Sequence, residues 1–196
     1  MKYYSLDKNI KKTIKVKGNE EIFIAGDQGG SCDVEIILDE ANATCNLNIL
    51  FVGNKSDNFR LNTKSRHTAP NTKSYICVKG IFFDSSYMDY DAKIIIEKKA
   101  KYSDAYLKND NLLIGNDSSV DTKPQLEIFE DDVKASHGVT VSDIDSESKF
   151  YLMSRGISEE LAENIYVKAF VSDIVQFADE ACKLPTSIDK LLNERS

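Results

Sequence analysis

His137 has the most chemistry to offer in this chain. It stands in the segment Ser136-His137-Gly138. A neutral imidazole is a good ligand for iron, and histidine can take the place of cysteine on a metal cluster. The competing reading is a histidine hydrogen-bonded between strands or exposed on one face. A single imidazole with no thiolate beside it does not satisfy tetrahedral iron. A site built on His137 therefore needs ligands from a second chain.

The other reactive residue types promise less. Cys32, Cys45, Cys77 and Cys182 contain no CxxC pair, and their density is too low for a disulfide framework. They read as cytosolic thiols, with Cys45 and Cys77 facing inward from strands and Cys182 ending a long helix. Glu130-Asp131-Asp132 is the kind of carboxylate cluster that β-helical lyases and hydrolases use with Ca²⁺ or as acid and base. Three adjacent acids point in different directions, so a solvated loop between strands is expected instead. His67 opens His-x-x-Pro-Asn-Thr-x-Ser. There Pro70 and Asn71 favour a turn, and the Thr72 and Ser74 hydroxyls can bond local backbone. No G-x-x-x-x-G-K-[ST], G-x-G-x-x-G or G-x-S-x-G is present. Nucleotide hydrolysis must come from another chain, and this one is not expected to be an enzyme in its own right.

These residues need elements to hold them. The sequence has 196 residues, 41% hydrophobic and 29% charged, an ordinary globular balance. Its net charge of −7 argues against a nucleic-acid partner held by phosphate contacts. The longest apolar runs, such as Ile49 to Val52, fall far short of the roughly 20 residues of a membrane span. The N-terminus lacks the apolar stretch of a secretory signal, so a cytoplasmic protein is expected.

From about residue 10 to 153 the chain consists of short apolar runs, many β-branched, separated by Gly, Asn and Asp clusters such as Gly26 to Gly30 and Gly115-Asn116-Asp117. That is strand-and-turn punctuation, with no helix longer than about two turns expected inside it. A loose echo links Ile36 to Thr44, Ile94 to Ser103 and Leu126 to Ser136. Each is an apolar strand, a few charges and a second short strand, but the offsets are uneven. Variable loops suit a β-solenoid; a β-sandwich is the alternative from pattern alone. From Ser158 the period changes to helical. Ser158 is a candidate N-cap ahead of Glu159 and Glu160. Ala162, Tyr166, Phe170, Ile174, Phe177 and Ala181 then form a stripe that Leu161, Ile165 and Ala169 widen. Pro185 breaks this helix, and Ser187 can cap a last short one carrying Ile188, Leu191 and Leu192. The expected division is a β-core over 1–153 and a helical pair over 154–196. The single stripe must bury against the β-core or against a partner.

Four segments, taken in order, resemble a known family. They are HTAPNTKSYICVKG from His67 to Gly80, TKPQLEIFEDDVKASHGVT from Thr122 to Thr140, Phe150-Tyr151-Leu152, and Ser154-Arg155-Gly156-Ile157. Together they are similar to the core of the SufB/SufD scaffolds of iron–sulfur cluster assembly, over roughly residues 30 to 195. The resemblance implies a right-handed parallel β-helix followed by a small C-terminal α-helical pair. It implies that the helical end docks the ABC-type ATPase SufC, with Arg155, Phe170, Ile174 and Phe177 as partner-binding residues. A second SufB/SufD-type chain, as heterodimer or homodimer, is implied as well. SufD-type members carry a histidine in the Ser136-His137-Gly138 segment, implicated in building the nascent cluster at the scaffold interface. His137 is thus the candidate metal residue, with no cluster held stably by the chain alone and one held transiently in the complex.

The departures from the family pattern matter. Ala135 stands where SufD-like members carry cysteine, Ser118 where SufB-type members carry the interface cysteine, and Gly138 where SufB-type members carry an acid. The helical region that usually precedes the β-core is not expected in this chain. A SufD-like scaffold is therefore the leading reading. The alternative is a SufC-binding structural or regulatory relative that holds no cluster. A β-helical carbohydrate-active enzyme is more remote, since the nine Tyr read as scattered rather than stacked at a coil period.

Overall fold

The computed structural model describes residues 2–5, 9–176, 184 and 188–190. Eleven strands precede two helices among these residues: β1 Lys2–Ser5, β2 Ile10–Lys15, β3 Asn19–Gly26, β4 Gly30–Leu38, β5 Thr44–Gly53, β6 Asn58–His67, β7 Lys73–Phe82, β8 Tyr87–Ile96, β9 Asp104–Leu113, β10 Ser119–Ile128, β11 Lys134–Ser142, α1 Ser146–Ser154 and α2 Glu159–Val175. The odd-numbered strands form one sheet, in the order β1-β3-β5-β7-β9-β11. The even-numbered ones form a second, in the order β10-β8-β6-β4-β2. Every pairing is parallel. The chain therefore coils, crossing from one sheet to the other at each turn. This is a parallel β-solenoid, and the sandwich alternative is excluded.

Register gives the repeat. Thr44 pairs with Lys73, Lys73 with Asp104 and Asp104 with Lys134, a period of about 30 residues. The corners are built from left-handed residues. Asn42, Asn71 and Tyr102 have φ of 66°, 58° and 61°. Their N–H groups donate to Pro70, Lys101 and Asp132 carbonyls at 3.1, 2.8 and 2.7 Å. Each corner thus stitches onto the next coil. Asn tolerates this conformation well because its short amide bonds locally.

Alternation within the strands makes two cores. Inward-facing residues such as Ile24, Leu47, Val78, Phe82 and Met88 fill the lumen. Phe23, Leu50, Ile81 and Leu112 point outward from the odd sheet and meet Val167, Val171 and Ile174 of α2. Burying each aliphatic side chain is worth about 1.5–3 kcal/mol. A 17-residue helix is marginal alone, so this face fixes it. The polar contribution is Lys79 of β7. Its Nζ donates to the Phe170 carbonyl and to Asp173 Oδ1, both at 2.5 Å, and lies 4.6 Å from the Phe170 ring centroid.

The helical region begins earlier than the sequence suggests. The last strand ends at Ser142, and α1 takes up nine residues where strand was expected up to 153. Asp145 caps it, accepting from Ser148 N–H at 2.9 Å. Gly156, at φ 86°, ends it, with Ile157 N–H reaching back to the Leu152 carbonyl at 3.3 Å. Ser158 caps α2 as expected, accepting from Leu161 N–H. The end of the long helix expected at Cys182 lies outside the described residues. Ile188–Lys190 is helical, in keeping with a last short helix.

Candidate functional site at the mouth of the solenoid

The two ends of the solenoid differ in chemistry. At the first coil Ile10 and Ile14 continue the interior, and the other residues in register with it are charged or aromatic. Lys2 pairs with Ile22 and Glu20 with Cys45, and Lys2 and Glu20 close an ion pair at 2.8 Å. Lys12 pairs with Val34 and lies 5.3 Å from the Tyr4 ring centroid. This end is made to meet water. At the last coil the same positions are Val120, Thr122, Pro124, Leu126 and Ile128 on β10, and Ala135, His137, Val139 and Val141 on β11. Leu126, Ile128, Val139 and Val141 are exposed, and Phe129 at the corner between the strands is 60% exposed. An apolar lumen opens to solvent here.

His137 lies in this mouth. It pairs with the lumen residue Leu107, is itself exposed, and makes no hydrogen bond to a described residue. Both terminal strands have a free edge, but they are not equally guarded. β10 carries Pro124, which lacks an N–H and suits only an edge. The β11 edge, Lys134–Ser142, has no proline and one charge. Such an edge invites a further strand.

Among the described residues no thiolate accompanies His137. Cys32 and Cys45 line the lumen, where burial pushes both thiols up to about 12. Cys77 is also buried, but on the outer face under α2 rather than inward as expected; burial raises its pKa as well. All three are free thiols, and Cys182 lies outside the described residues. Among the described residues no group of three or more His, Cys, Asp or Glu side chains could hold a metal ion.

His67 leads into the turn at Pro70 and Asn71 expected from the sequence, with Asn71 at φ 58°. It ends β6 inside the lumen, fully buried. Its Nδ1 shares a hydrogen bond with Thr72 Oγ1 at 2.8 Å, and its Nε2 meets Ser74 Oγ at 2.8 Å and Ser65 Oγ at 3.0 Å. Thr72 meets Ser103 Oγ at 2.7 Å and donates to the local Ala69 carbonyl as expected. Ser74 bonds side chains instead of backbone. Burial lowers the His67 pKa to about 4. Asp132 of the acidic corner is paired with Lys101 at 2.9 Å. Tyr75 and Tyr106 lie one coil apart, with ring centroids 5.7 Å apart and planes tilted by 32°.

The sequence-predicted partner residues on the helices fare differently. Ile174 is 1% exposed, buried by the protein's own sheet, and Phe170 is half-buried against Lys79. The sheet, rather than a partner, takes this stripe. Arg155 caps α1 and lies 5.1 Å from the Tyr151 ring centroid; among the described residues it pairs with no carboxylate of the β-core. Phe177 lies outside the described residues. The exposed apolar groups are Phe150, at 73%, Tyr151, Met153 and Ile165. α1 and α2 are clasped by Lys149, which reaches Glu159 at 2.6 Å and Glu163 at 2.7 Å. A cleft of about 480 Å³ between the helices includes Tyr151, Leu152, Ile165, Tyr166 and Ala169. A helix read before the sheet is known does not show which of its apolar faces is free.

Residues 23–170 match the family described as SUF system FeS cluster assembly, SufBD core domain. The chain is a member of the SufB/SufD family. It is 37% identical over 147 residues to the iron–sulfur cluster assembly protein SufD of Escherichia coli, covering 74% of this chain and 35% of that protein. It is 32% identical over 165 residues to a SufBD family protein of Staphylococcus saprophyticus, 82% of this chain and 35% of that protein. A Staphylococcus epidermidis family member is 36% identical over 136 residues. The chain thus spans about a third of the length of the curated relatives it matches. No helix among the described residues is long and apolar enough to cross a membrane.

Proposed function

We propose that this chain is a SufD-like scaffold whose mouth is covered by a second SufB/SufD-type chain. One observation carries the proposal: the first coil ends in the Lys2–Glu20 pair and Lys12, and the last in Leu126, Ile128, Val139 and Val141 around His137. Covering the mouth buries apolar surface, and the β11 edge offers backbone groups to a partner strand. His137 then faces the partner as one ligand of a split site for a nascent cluster, which is cargo rather than a resident cofactor. The partner supplies thiolate, because the described cysteines of this chain are buried and protonated. The scaffold is not itself an enzyme. A SufC-type ATPase docks on the helical end, through Phe150, Tyr151, Met153 and Ile165 rather than through Ile174. Free thiols suit a cytoplasmic setting.

A second reading has its own support. Ala135, Ser118 and Gly138 leave His137 without a neighbouring ligand, which fits a SufC-binding relative that holds no cluster. The two are separated by purifying the chain with a SufC-type ATPase and a SufB-type chain, reconstituting anaerobically, and reading cluster absorbance. The scaffold reading expects a clear loss of cluster with His137→Ala and no loss of complex. Equal absorbance with and without the imidazole favours the second reading.

A further inference from the structure

Interior columns of a β-solenoid stack like on like, and two columns of the odd sheet break that rule. One runs Ile49, Val78, Asn109, Val139, and the other Phe51, Gly80, Asn111, Val141. Two apolar columns become polar on β9 and apolar again on β11. Both asparagines are 0% exposed. On the facing sheet the column Leu61, Tyr90, Thr122 ends in a hydroxyl.

The hydrogen bonding there does not close. Asn111 Nδ2 donates to Asn109 Oδ1 at 2.8 Å. Asn109 Nδ2, Asn111 Oδ1 and Thr122 Oγ1 are buried and have no protein partner among the described residues. Turning both amides over leaves the same count, since two amides joined by one bond always keep a free donor and a free acceptor. The His67 network differs, because each of its hydroxyls and both ring nitrogens are paired. The asparagines are also given room. A Cβ at Gly80 would fall first on the Phe82 ring and also come within 2.8 Å of Asn111 Oδ1, so glycine there leaves room for both side chains.

We infer that Asn109, Asn111 and Thr122 form an internal hydration site in the last coils of the lumen, behind the β11 strand that carries His137. The free groups are a donor, an acceptor and a hydroxyl, and these columns hold no charged residue; the Tyr90 hydroxyl is already bonded to Thr63 Oγ1 at 2.7 Å. The ligand is therefore small, neutral and able both to give and to accept hydrogen bonds, which is water. The site belongs to this chain alone and does not depend on a partner.

The test is water-to-protein magnetisation transfer by NMR on the free chain. The side-chain NH₂ protons of Asn109 and Asn111 are expected to show cross-peaks at the water frequency, with the sign of a long-lived bound water rather than of proton exchange. Asn111→Leu, with its backbone spectrum retained, is expected to lose the cross-peak at Asn109. If that variant does not fold, the wild-type cross-peaks and a crystal structure at high resolution still decide. Cross-peaks absent from both amides, or no density within hydrogen-bond reach of them, would overturn the inference.

Discussion

His137 stands one strand above Leu107 in the same interior column, yet Leu107 is 2% exposed and His137 is open to solvent. Nothing in the His137 segment makes this difference. It arises because β11 is the last strand of its sheet, with no further strand to cover its lumen side.

Charge placed at the mouth should spare the fold and spoil assembly. Ile128 and Val141 are exposed in the free chain, so Ile128→Asp or Val141→Asp should change unfolding free energy by about 0.5 kcal/mol or less. Either should weaken binding to a SufB-type chain at least tenfold, since an unpaired carboxylate would be buried on docking. Titration calorimetry beside urea unfolding checks both halves. Destabilisation without loss of affinity would argue against the mouth as an interface.

Lys79 and Asp173 should be unequal partners. The Lys79 side chain is 6% exposed and that of Asp173 53%. Asp173→Ala leaves a buried ammonium with its carbonyl contact alone and should cost about 1–3 kcal/mol. Lys79→Met keeps the packing on Phe170 and removes the charge, and should cost less. Thermal unfolding of the two variants gives the order. Phe170→Asp should loosen α2 itself, because Phe170 packs against Lys79 and the outer face of the sheet.

Acid should act through His67. Above pH 6.5 its imidazole is neutral in folded and unfolded chains alike. As pH falls toward 4 the unfolded chain takes up a proton that the buried ring does not, so stability declines through that window and levels off below it. The loss attributable to His67 is roughly 3 kcal/mol at most. His67→Gln should flatten the drop between pH 6.5 and 4 in urea melts, and an unchanged slope would assign the acid sensitivity elsewhere.

Two glycines should differ in cost for different reasons. A Cβ on Gly115 would fall onto the backbone N and O of Asp84, which no rotamer change relieves. Gly115→Ala should destabilise by about 1–3 kcal/mol. Gly18, at φ 68° with nothing within 4 Å of its Cβ position, should cost about 1 kcal/mol from left-handed strain alone. Chemical denaturation of both variants tests the order.

The coiled strands were legible because β-branched runs and Gly, Asn and Asp corners recur through residue 142. The period was not. The echo between Ala41 and Ala100 spans two coils, since the Asn42 corner bonds the Asn71 corner and that one bonds the Tyr102 corner. The middle corner, Thr68 to Thr72, carries no charges and hid the repeat. The His137 segment was readable from its neighbours, but its place in an open mouth depends on strand order. Ile174 looked like a partner contact because periodicity marks an apolar face without naming what covers it. His67 looked like turn chemistry because its strand neighbour Ser65 shows no role in the motif and Ser103, which extends the network through Thr72, comes from the next coil.

Hydrogen–deuterium exchange on the chain, free and bound to a SufB-type partner, tests the central claim most directly. Amides of Lys134–Ser142 should exchange quickly in the free chain and become at least tenfold slower in the complex, with a smaller effect along Ser119–Ile128. Protection confined to α1 and α2, with the β11 edge exchanging as before, would contradict it.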